Sequence, residues 1–272
     1  MAPDFSIPTA ETVADSLRLL RAQQPLVQCL TNIVVAQWTA NVLLAVGAAP
    51  AMVDNPHEAG PFAGIAGGVL INLGTPYDDT AVAMSAAVAS ARASGTPWVL
   101  DPVAAGAAAW RTDVALTLLE SAPPRIIRGN ASEILALAGG TGGKGVDSVD
   151  SPEVALEVAR SLALRHGTTV AVSGPVDHLT DGHRVVRIAN GHPVMTRVTG
   201  VGCALGALMA AFAAVLDDGL LAATAATAVL TVAADQAVLI AQRPGSFAVA
   251  LLDELDALTP ESLAEKIRFG HK

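Results

Sequence analysis

Thr199-Gly200-Val201-Gly202-Cys203-Ala204-Leu205-Gly206 is the stretch on which the reading of this chain turns. It follows a strand-like segment and opens a long apolar run, so it reads as a loop feeding the N-terminus of a buried helix. The first turn of such a helix has backbone N–H groups without intrahelical partners and carries the positive end of the helix dipole. Glycines there keep side chains out of an anion's approach and permit the left-handed backbone that gathers N–H groups into a nest. Two readings follow. The stretch is a phosphate site, or it is a tight turn whose Gly202 and Gly206 sit on one helix face to allow close packing.

Upstream of it, short apolar runs alternate with helical patterns, the signature of a mostly parallel sheet covered by helices on both faces, an α/β fold. Strands are expected over residues 25–29, 51–53, 68–73, 98–100, 125–128 and 169–172, each bounded by Gly, Pro, Asn or Asp. Helices are expected over residues 12–21, 34–46, 80–93, 114–120, 132–138 and 153–165. Asp181-Gly182-His183, between residues 176–179 and 185–188, predicts a hairpin and with it an antiparallel edge. Residues 203–269 read as almost purely helical, with Pro244-Gly245-Ser246 and Thr259-Pro260 as punctuation. No boundary is visible, so residues 1–272 read as one domain. The glycine-rich stretch 139–145, which holds Lys144, lacks the G-x-x-x-x-G-K-[ST] spacing and reads as a surface loop.

Composition narrows the function. The chain is 52% hydrophobic but only 3% aromatic, so its apolar mass is alanine, valine and leucine, suited to helices lying close on a sheet. A formal net charge of −9 with no basic stripe argues against a nucleic-acid partner. Cys29 and Cys203 are far apart and form no C-x-x-C, so neither a disulfide framework nor a zinc site is indicated, and a reduced, cytoplasmic protein is expected. The first ten residues lack a charged region followed by an apolar stretch, so no secretory signal is read. Residues 198–216 and 219–234 are uncharged, which raises the question of a membrane. The first run begins as a loop and the second is threaded with Thr224, Thr227 and Thr231, so two buried helices joined by Asp217-Asp218-Gly219 are expected, with no membrane partner.

Several polar residues end strands of one polarity. Asp101-Pro102-Val103, with Gly106 close behind, ends one; Arg128-Gly129-Asn130 ends another, with Glu133 in the helix turn that follows; Ser173-Gly174 ends a third. Singly, Asp101 reads as a turn cap and Glu133 as a favourable charge at a helix N-terminus. Together they converge on the edge where open α/β sheets bind ligands, beside the Gly200 loop. One or two carboxylates for a hard cation, an Arg near phosphates and a nest of N–H groups are what phosphoryl transfer requires.

These motifs, in order, carry a family resemblance. Val27-Gln28-Cys29-Leu30-Thr31-Asn32, Ala51-Met52, Asp101-Pro102-Val103-Ala104-Ala105-Gly106, Arg128-Gly129-Asn130-Ala131-Ser132-Glu133, Val172-Ser173-Gly174 and Thr199-Gly200-Val201-Gly202-Cys203 resemble the hydroxyethylthiazole kinases, over about residues 25–252. The most specific parts of the resemblance are the run Arg128-Gly129-Asn130-Ala131-Ser132-Glu133 and Cys203, since most ribokinase-like enzymes have Asp at the latter. The resemblance implies a ribokinase-like three-layer α/β/α fold and ATP- and magnesium-dependent phosphorylation of 4-methyl-5-(2-hydroxyethyl)thiazole in thiamine salvage. It also implies a homotrimer with active sites at subunit interfaces. By that resemblance Met52 and Gly200 contact the thiazole, Asn32 lines its pocket from a neighbouring subunit, and Arg128 and Ser173 bind ATP. Asp101 and Glu133 support the magnesium, and Gly200, Val201, Gly202 and Cys203 form the anion hole. Gln28 stands where the family leads one to expect His, and Ser173 where Thr is usual.

For mechanism, Cys203 beside the acceptor is read as the catalytic residue that orients the hydroxyl and acts as a weak base in a direct transfer, the anion-hole amides stabilising the transferring oxygens. The alternative for Cys203 is a small apolar residue at a helix start. The alternative functions are a hydroxymethylpyrimidine or pyridoxal kinase of the same fold, and a nucleotide-binding protein without turnover.

Overall fold

The computed structural model describes residues 6–139 and 152–270. Apart from Gly139, the expected loop around Lys144 lies outside them. The described residues form β1 (Leu26–Leu30), β2 (Ala49–Ala51), β3 (Gly68–Asn72), β4 (Trp98–Asp101), β5 (Ile126–Asn130), β6 (Thr169–Ser173), β7 (Asp177–Thr180) and β8 (Val185–Ile188). The helices are α1 (Ala10–Gln23), α2 (Ala36–Val46), α3 (Ala59–Ala63), α4 (Asp78–Ser94), α5 (Ala109–Ser121), α6 (Ala131–Leu137), α7 (Pro152–His166), α8 (Val201–Ala213), α9 (Gly219–Ile240), α10 (Pro244–Ala257) and α11 (Pro260–Lys266).

The strands make one sheet in the order β2-β1-β3-β4-β5-β6-β7-β8. Pairing is parallel from β2 to β6 and antiparallel from β6 to β8, the edge hairpin that Asp181-Gly182-His183 predicts. Side chains of the parallel strands divide between two apolar layers by alternation. On β3, Leu70 faces one layer while Val69 and Ile71 face the other, and β5 separates Ile126 from Ile127 in the same way. The Leu70 layer is built from α1, α2 and α8 to α11, and the Ile71 layer from α3 to α7. This is the expected three-layer arrangement.

Small residues set the spacing. A Cβ at Gly68 would fall 2.3 Å from the carbonyl oxygen of Ala210, so α8 lies directly on the backbone of β3. Ala204, Ala207, Ala210 and Ala211 of α8 are fully buried there. Helix α9 is long and apolar enough to cross a membrane, but 72% of its most apolar stretch is buried inside the protein. Its Thr224 and Thr231 donate back to the carbonyls of Leu220 and Thr227, each at 2.7 Å, which is how hydroxyls are tolerated in an apolar helix.

Three expectations change. Strand β2 sits two residues earlier than 51–53, because Leu26, Val27 and Gln28 pair with Ala49, Pro50 and Ala51; an edge position tolerates the missing N–H of Pro50. The strand-like segment before Thr199 is instead a 3-10 turn, Pro193–Arg197, started by proline and capped by His192 Nδ1, which accepts from the Val194 N–H at 3.2 Å. Helix α3 is five residues long, too short to show periodicity in the sequence.

The winding reverses between β1 and β3. From β1 the chain passes through α2 to β2 on one side, then returns through α3 to β3 on the other. The carboxyl ends of β1 and β3 therefore flank a topological switch point, where open α/β sheets bind their ligands.

Candidate active site

Asn72 ends β3, Asp101 ends β4, Arg128 and Asn130 lie at the end of β5, Ser173 ends β6, and Asn32 lies two residues past β1. Parallel pairing brings these to one edge. There they form a continuous polar line. Asn32 Nδ2 donates to Cys203 Sγ at 3.5 Å and to Asn72 Oδ1 at 2.9 Å. Asn72 Nδ2 donates to Asp101 Oδ2 at 2.7 Å. One terminal nitrogen of Arg128 reaches Asp101 Oδ1 at 3.5 Å, and the other donates to Ser173 Oγ at 3.1 Å.

Helix α8 aims its N-terminus at this line. Its N-cap is Gly200, with φ +92° in the left-handed region, and the N–H groups of Val201, Gly202 and Cys203 lack intrahelical acceptors by helix geometry. Side chains do not fit here. A Cβ at Gly200 would fall 2.6 Å from Val35 Cγ1 and 3.0 Å from Trp38 Cδ1, and one at Gly202 would fall 2.8 Å from the Arg128 guanidinium. Gly206 serves packing instead, since its Cβ would meet Leu70 at 3.0 Å and Asp101 at 3.6 Å. The packing reading of the glycine stretch is thus realised at Gly206, while Gly200 and Gly202 keep the helix N-terminus free of side chains.

Burial governs the site's titration. Asp101 is fully buried, which pushes its pKa up to about 6 against the opposing pull of Arg128. The Cys203 thiol is also raised, by burial first and by Asp101 second, with Asn72, Arg128 and Asn32 opposing. At neutral pH it is a neutral thiol, which favours the orienting part of its expected role over the base. Cys29, pushed up to about 12 by burial, is a core residue.

Glu133 is a clamp. Its two oxygens accept from the N–H of Ala104 at 3.0 Å and of Asn130 at 2.8 Å, while Asn130 Oδ1 accepts from the Glu133 N–H at 2.9 Å. This capping box on α6 ties the loop after β4, where Ala104 has φ +65°, to the end of β5. Asn32 requires a correction: it meets Cys203 of its own chain, because it follows β1 at the switch point, so a neighbouring subunit is not needed to place it. Met52 stands apart, just past the edge strand β2 and 38% exposed. Gln28 is wholly buried and donates to the carbonyls of Val53 at 2.9 Å and Ala59 at 3.1 Å, so it braces the connection that carries Met52. Sequence reasoning missed Asn72 and Asp177. Asn72 is the one polar side chain in the apolar strand β3. Asp177 accepts from the Gly174 N–H at 3.1 Å, steadying the turn after Ser173, and burial pushes its pKa up to about 6.

A mostly parallel sheet with this switch point and a glycine-headed helix facing it is an architecture shared with ribokinase-like proteins. Such a protein from Enterococcus faecalis V583 superposes with a TM-score of 0.63 at 11% identity, over 96% of this chain and 92% of that one, a likeness of fold alone. The particular family follows from closer matches. Residues 17–261 match the Hydroxyethylthiazole kinase family, and the chain belongs to it. It is 60% identical over 260 residues to a hydroxyethylthiazole kinase from Clavibacter sepedonicus, covering 95% of this chain and 94% of that one. The solved structure of a hydroxyethylthiazole kinase protein from Pyrococcus horikoshii OT3 is 38% identical, with a TM-score of 0.87 over 95% of this chain and 98% of that one.

Proposed function

We propose that this chain, a single kinase domain spanning residues 1–272, transfers the terminal phosphoryl group of ATP to the hydroxyl of 4-methyl-5-(2-hydroxyethyl)thiazole, a salvage step toward thiamine phosphate in the cytoplasm. The observation that carries this reading is the polar line from Cys203 through Asn32, Asn72, Asp101 and Arg128 to Ser173, laid across the N-terminus of α8. Arg128 and Ser173 hold the ATP phosphates. The N–H groups of Val201, Gly202 and Cys203, gathered by the left-handed Gly200, stabilise charge on the transferring oxygens. Cys203, as a neutral thiol, orients the acceptor hydroxyl, and Asn32 and Gly200 line the pocket around it.

Asp101 and Glu133 lie close enough that the charge of Glu133 helps raise Asp101. Their four oxygens already accept protein donors. Magnesium keeps several waters and takes one or two carboxylates together with phosphate oxygens, so this pair suits it through its water shell. When bound, the ion would neutralise phosphate charge. Met52, Ile33 and Val34 expose apolar side chains near the carboxyl ends of β1 and β2. In a homotrimer with active sites at its interfaces, a neighbouring copy covers them and Met52 closes the thiazole pocket of that copy.

The test is ADP release measured in parallel with the thiazole alcohol, pyridoxine and hydroxymethylpyrimidine. Turnover with the thiazole alcohol at least about a hundredfold above the other two supports the reading, a margin that a pocket with specific polar contacts supplies. Preference for another alcohol, or ATP binding without acceptor-dependent ADP release, overturns it.

A further inference from the structure

We propose that Asn72 is a positioning residue for the acceptor side of the site, fixing the amide of Asn32 so that its N–H meets Cys203 and its oxygen is left for the acceptor hydroxyl. The inference rests on the reading of Asn32 and Cys203 as acceptor-side residues and adds to it a residue that sets their geometry.

The two ends of an amide side chain have nearly the same shape, so its neighbours decide which end faces where. For Asn72 that decision is unambiguous. The Gly74 N–H can only donate, and it lies 3.0 Å from Asn72 Oδ1. The Nδ2 end is thereby turned to Asp101 Oδ2, at 2.7 Å. Asn72 Oδ1 also lies 2.9 Å from Asn32, which must then present its own Nδ2. The second hydrogen on that nitrogen points to Cys203 Sγ at 3.5 Å, and Asn32 Oδ1 takes no hydrogen bond among the described residues. Asn72 is 1% exposed and Asn32 6%, so water does not compete for these contacts.

Gly74 locks the same amide a second time, by shape. A Cβ at position 74 would fall 2.5 Å from Asn32 Nδ2 and 2.7 Å from its Cγ, so any side chain there pushes the amide away. The short segment Asn72-Leu73-Gly74 therefore orients Asn32 by charge pattern from one end and by contact from the other. Neither residue needs to touch the acceptor.

The test uses the full-length enzyme with Asn32→Ala, Asn72→Ala, Gly74→Ala and the two double variants that include Asn32→Ala. Gly74 is half-buried in a loop, and a Cβ there would meet Asn32 first, so Gly74→Ala keeps the test available if Asn72→Ala does not fold. Each of the three single variants should raise KM for the thiazole alcohol roughly tenfold, the worth of one hydrogen bond. For Asn32→Ala and Gly74→Ala the KM for ATP should stay within about twofold, and in the Asn32→Ala background Gly74→Ala should raise the acceptor KM by no more than about twofold, because it acts through the missing amide. Asn72→Ala, which also removes a donor from Asp101 and a contact with Cys203, should show there less than its effect in the parent enzyme. Acceptor KM effects that multiply in the double variants, or a KM for ATP that rises as far as that for the acceptor, would overturn the positioning role while leaving the acceptor-side reading intact. An Asn32→Ala enzyme with unchanged KM for the thiazole alcohol would instead defeat that reading, and the proposal with it.

Discussion

Arg128 and Arg184 are buried to the same degree, with side chains 13% and 12% exposed, yet their partners differ in kind. Arg184 is closed. Its Nε donates to Asp181 at 2.7 Å, and its terminal nitrogens reach both oxygens of Asp218 at 2.8 and 2.9 Å and the Ser6 carbonyl at 3.0 Å. Among the described residues, Arg128 has one distant carboxylate at 3.5 Å, one hydroxyl, and a buried Nε with no partner. The carboxylates mirror this. Burial alone would raise Asp181, but hydrogen bonds from Arg184 and its neighbours outweigh it and hold Asp181 below the usual range; Asp101, less well served, is raised. A bidentate, saturated arginine stabilises a fold, whereas one with donors in reserve beside a helix N-terminus suits a phosphate that arrives later. The cleft around Arg184 holds about 810 Å³. Volume does not make it a site, since its arginine is already matched.

Two substitutions should separate these roles most widely. Arg128→Met should lower kcat/KM on the order of a thousandfold, the scale set by removing a charge that stabilises a transferring phosphoryl group. Its Tm should fall by no more than about 3 °C, because little native pairing is lost. Arg184→Met should do the reverse. Leaving Asp181 and Asp218 without their partner should cost about 2–3 kcal/mol, somewhat less than for a fully buried pair because Asp218 is partly exposed. Its kcat/KM per folded molecule should be unchanged. Thermal melts and steady-state kinetics on both proteins check this, and a large activity loss in Arg184→Met would break the comparison.

The sequence made the scaffold of this site legible and the satisfaction of its charges illegible. Alternating apolar runs ended by Asn, Asp and Gly located the parallel strands, and with them Asp101, Arg128 and Ser173 at one edge. Glu133 reads in the sequence as a favourable charge at a helix N-terminus, and its contacts add a clamp to the loop after β4 that the sequence does not show. Asn72 was missed because its partners, Asn32 and Asp101, are 40 and 29 residues away and meet only once β1, β3 and β4 are paired. Strand β2 was misplaced because an edge strand with Pro50 takes its register from β1 rather than from its own composition. Arg128 and Arg184 look alike in sequence. What tells them apart is the distance of each guanidinium from carboxylates on other elements.

A smaller effect is expected at Cys203, where the question is how much the loose side of the comparison asks of a side chain rather than of backbone N–H groups. A positioned general base is worth about a hundredfold or more, while an orienting hydrogen bond is worth roughly tenfold. With its pKa raised, the thiol supplies the second. Cys203→Ala should therefore lower kcat about tenfold, and the shape of the pH–rate profile between about pH 6 and 8 should persist, because no thiolate titrates there. A loss well beyond a hundredfold, with a missing ionisation, would restore the base.

The smallest effect belongs to Asp177, which sits on the Arg128 side and shows the cost of an unsaturated site in the absence of ligand. Burial raises its pKa from 3.8 to about 6, opposed by the Gly174 N–H and by Arg128. Between about pH 4 and pH 6 the folded protein thus holds a proton that the unfolded chain has released, so stability falls as pH rises through that window. Asp177→Asn keeps an acceptor for the Gly174 N–H but carries no charge. Relative to the parent, its stability should be unchanged or slightly lower near pH 4 and higher by on the order of 1 kcal/mol at pH 7, less than two full pKa units would imply, because the buried amide still pays for its own desolvation. Melts of the ligand-free protein at both pH values measure the difference. A constant offset across the range would mean that Asp177 is as well satisfied as Asp181, and that the reserve of unpaired charge around Arg128 ends at Asp101.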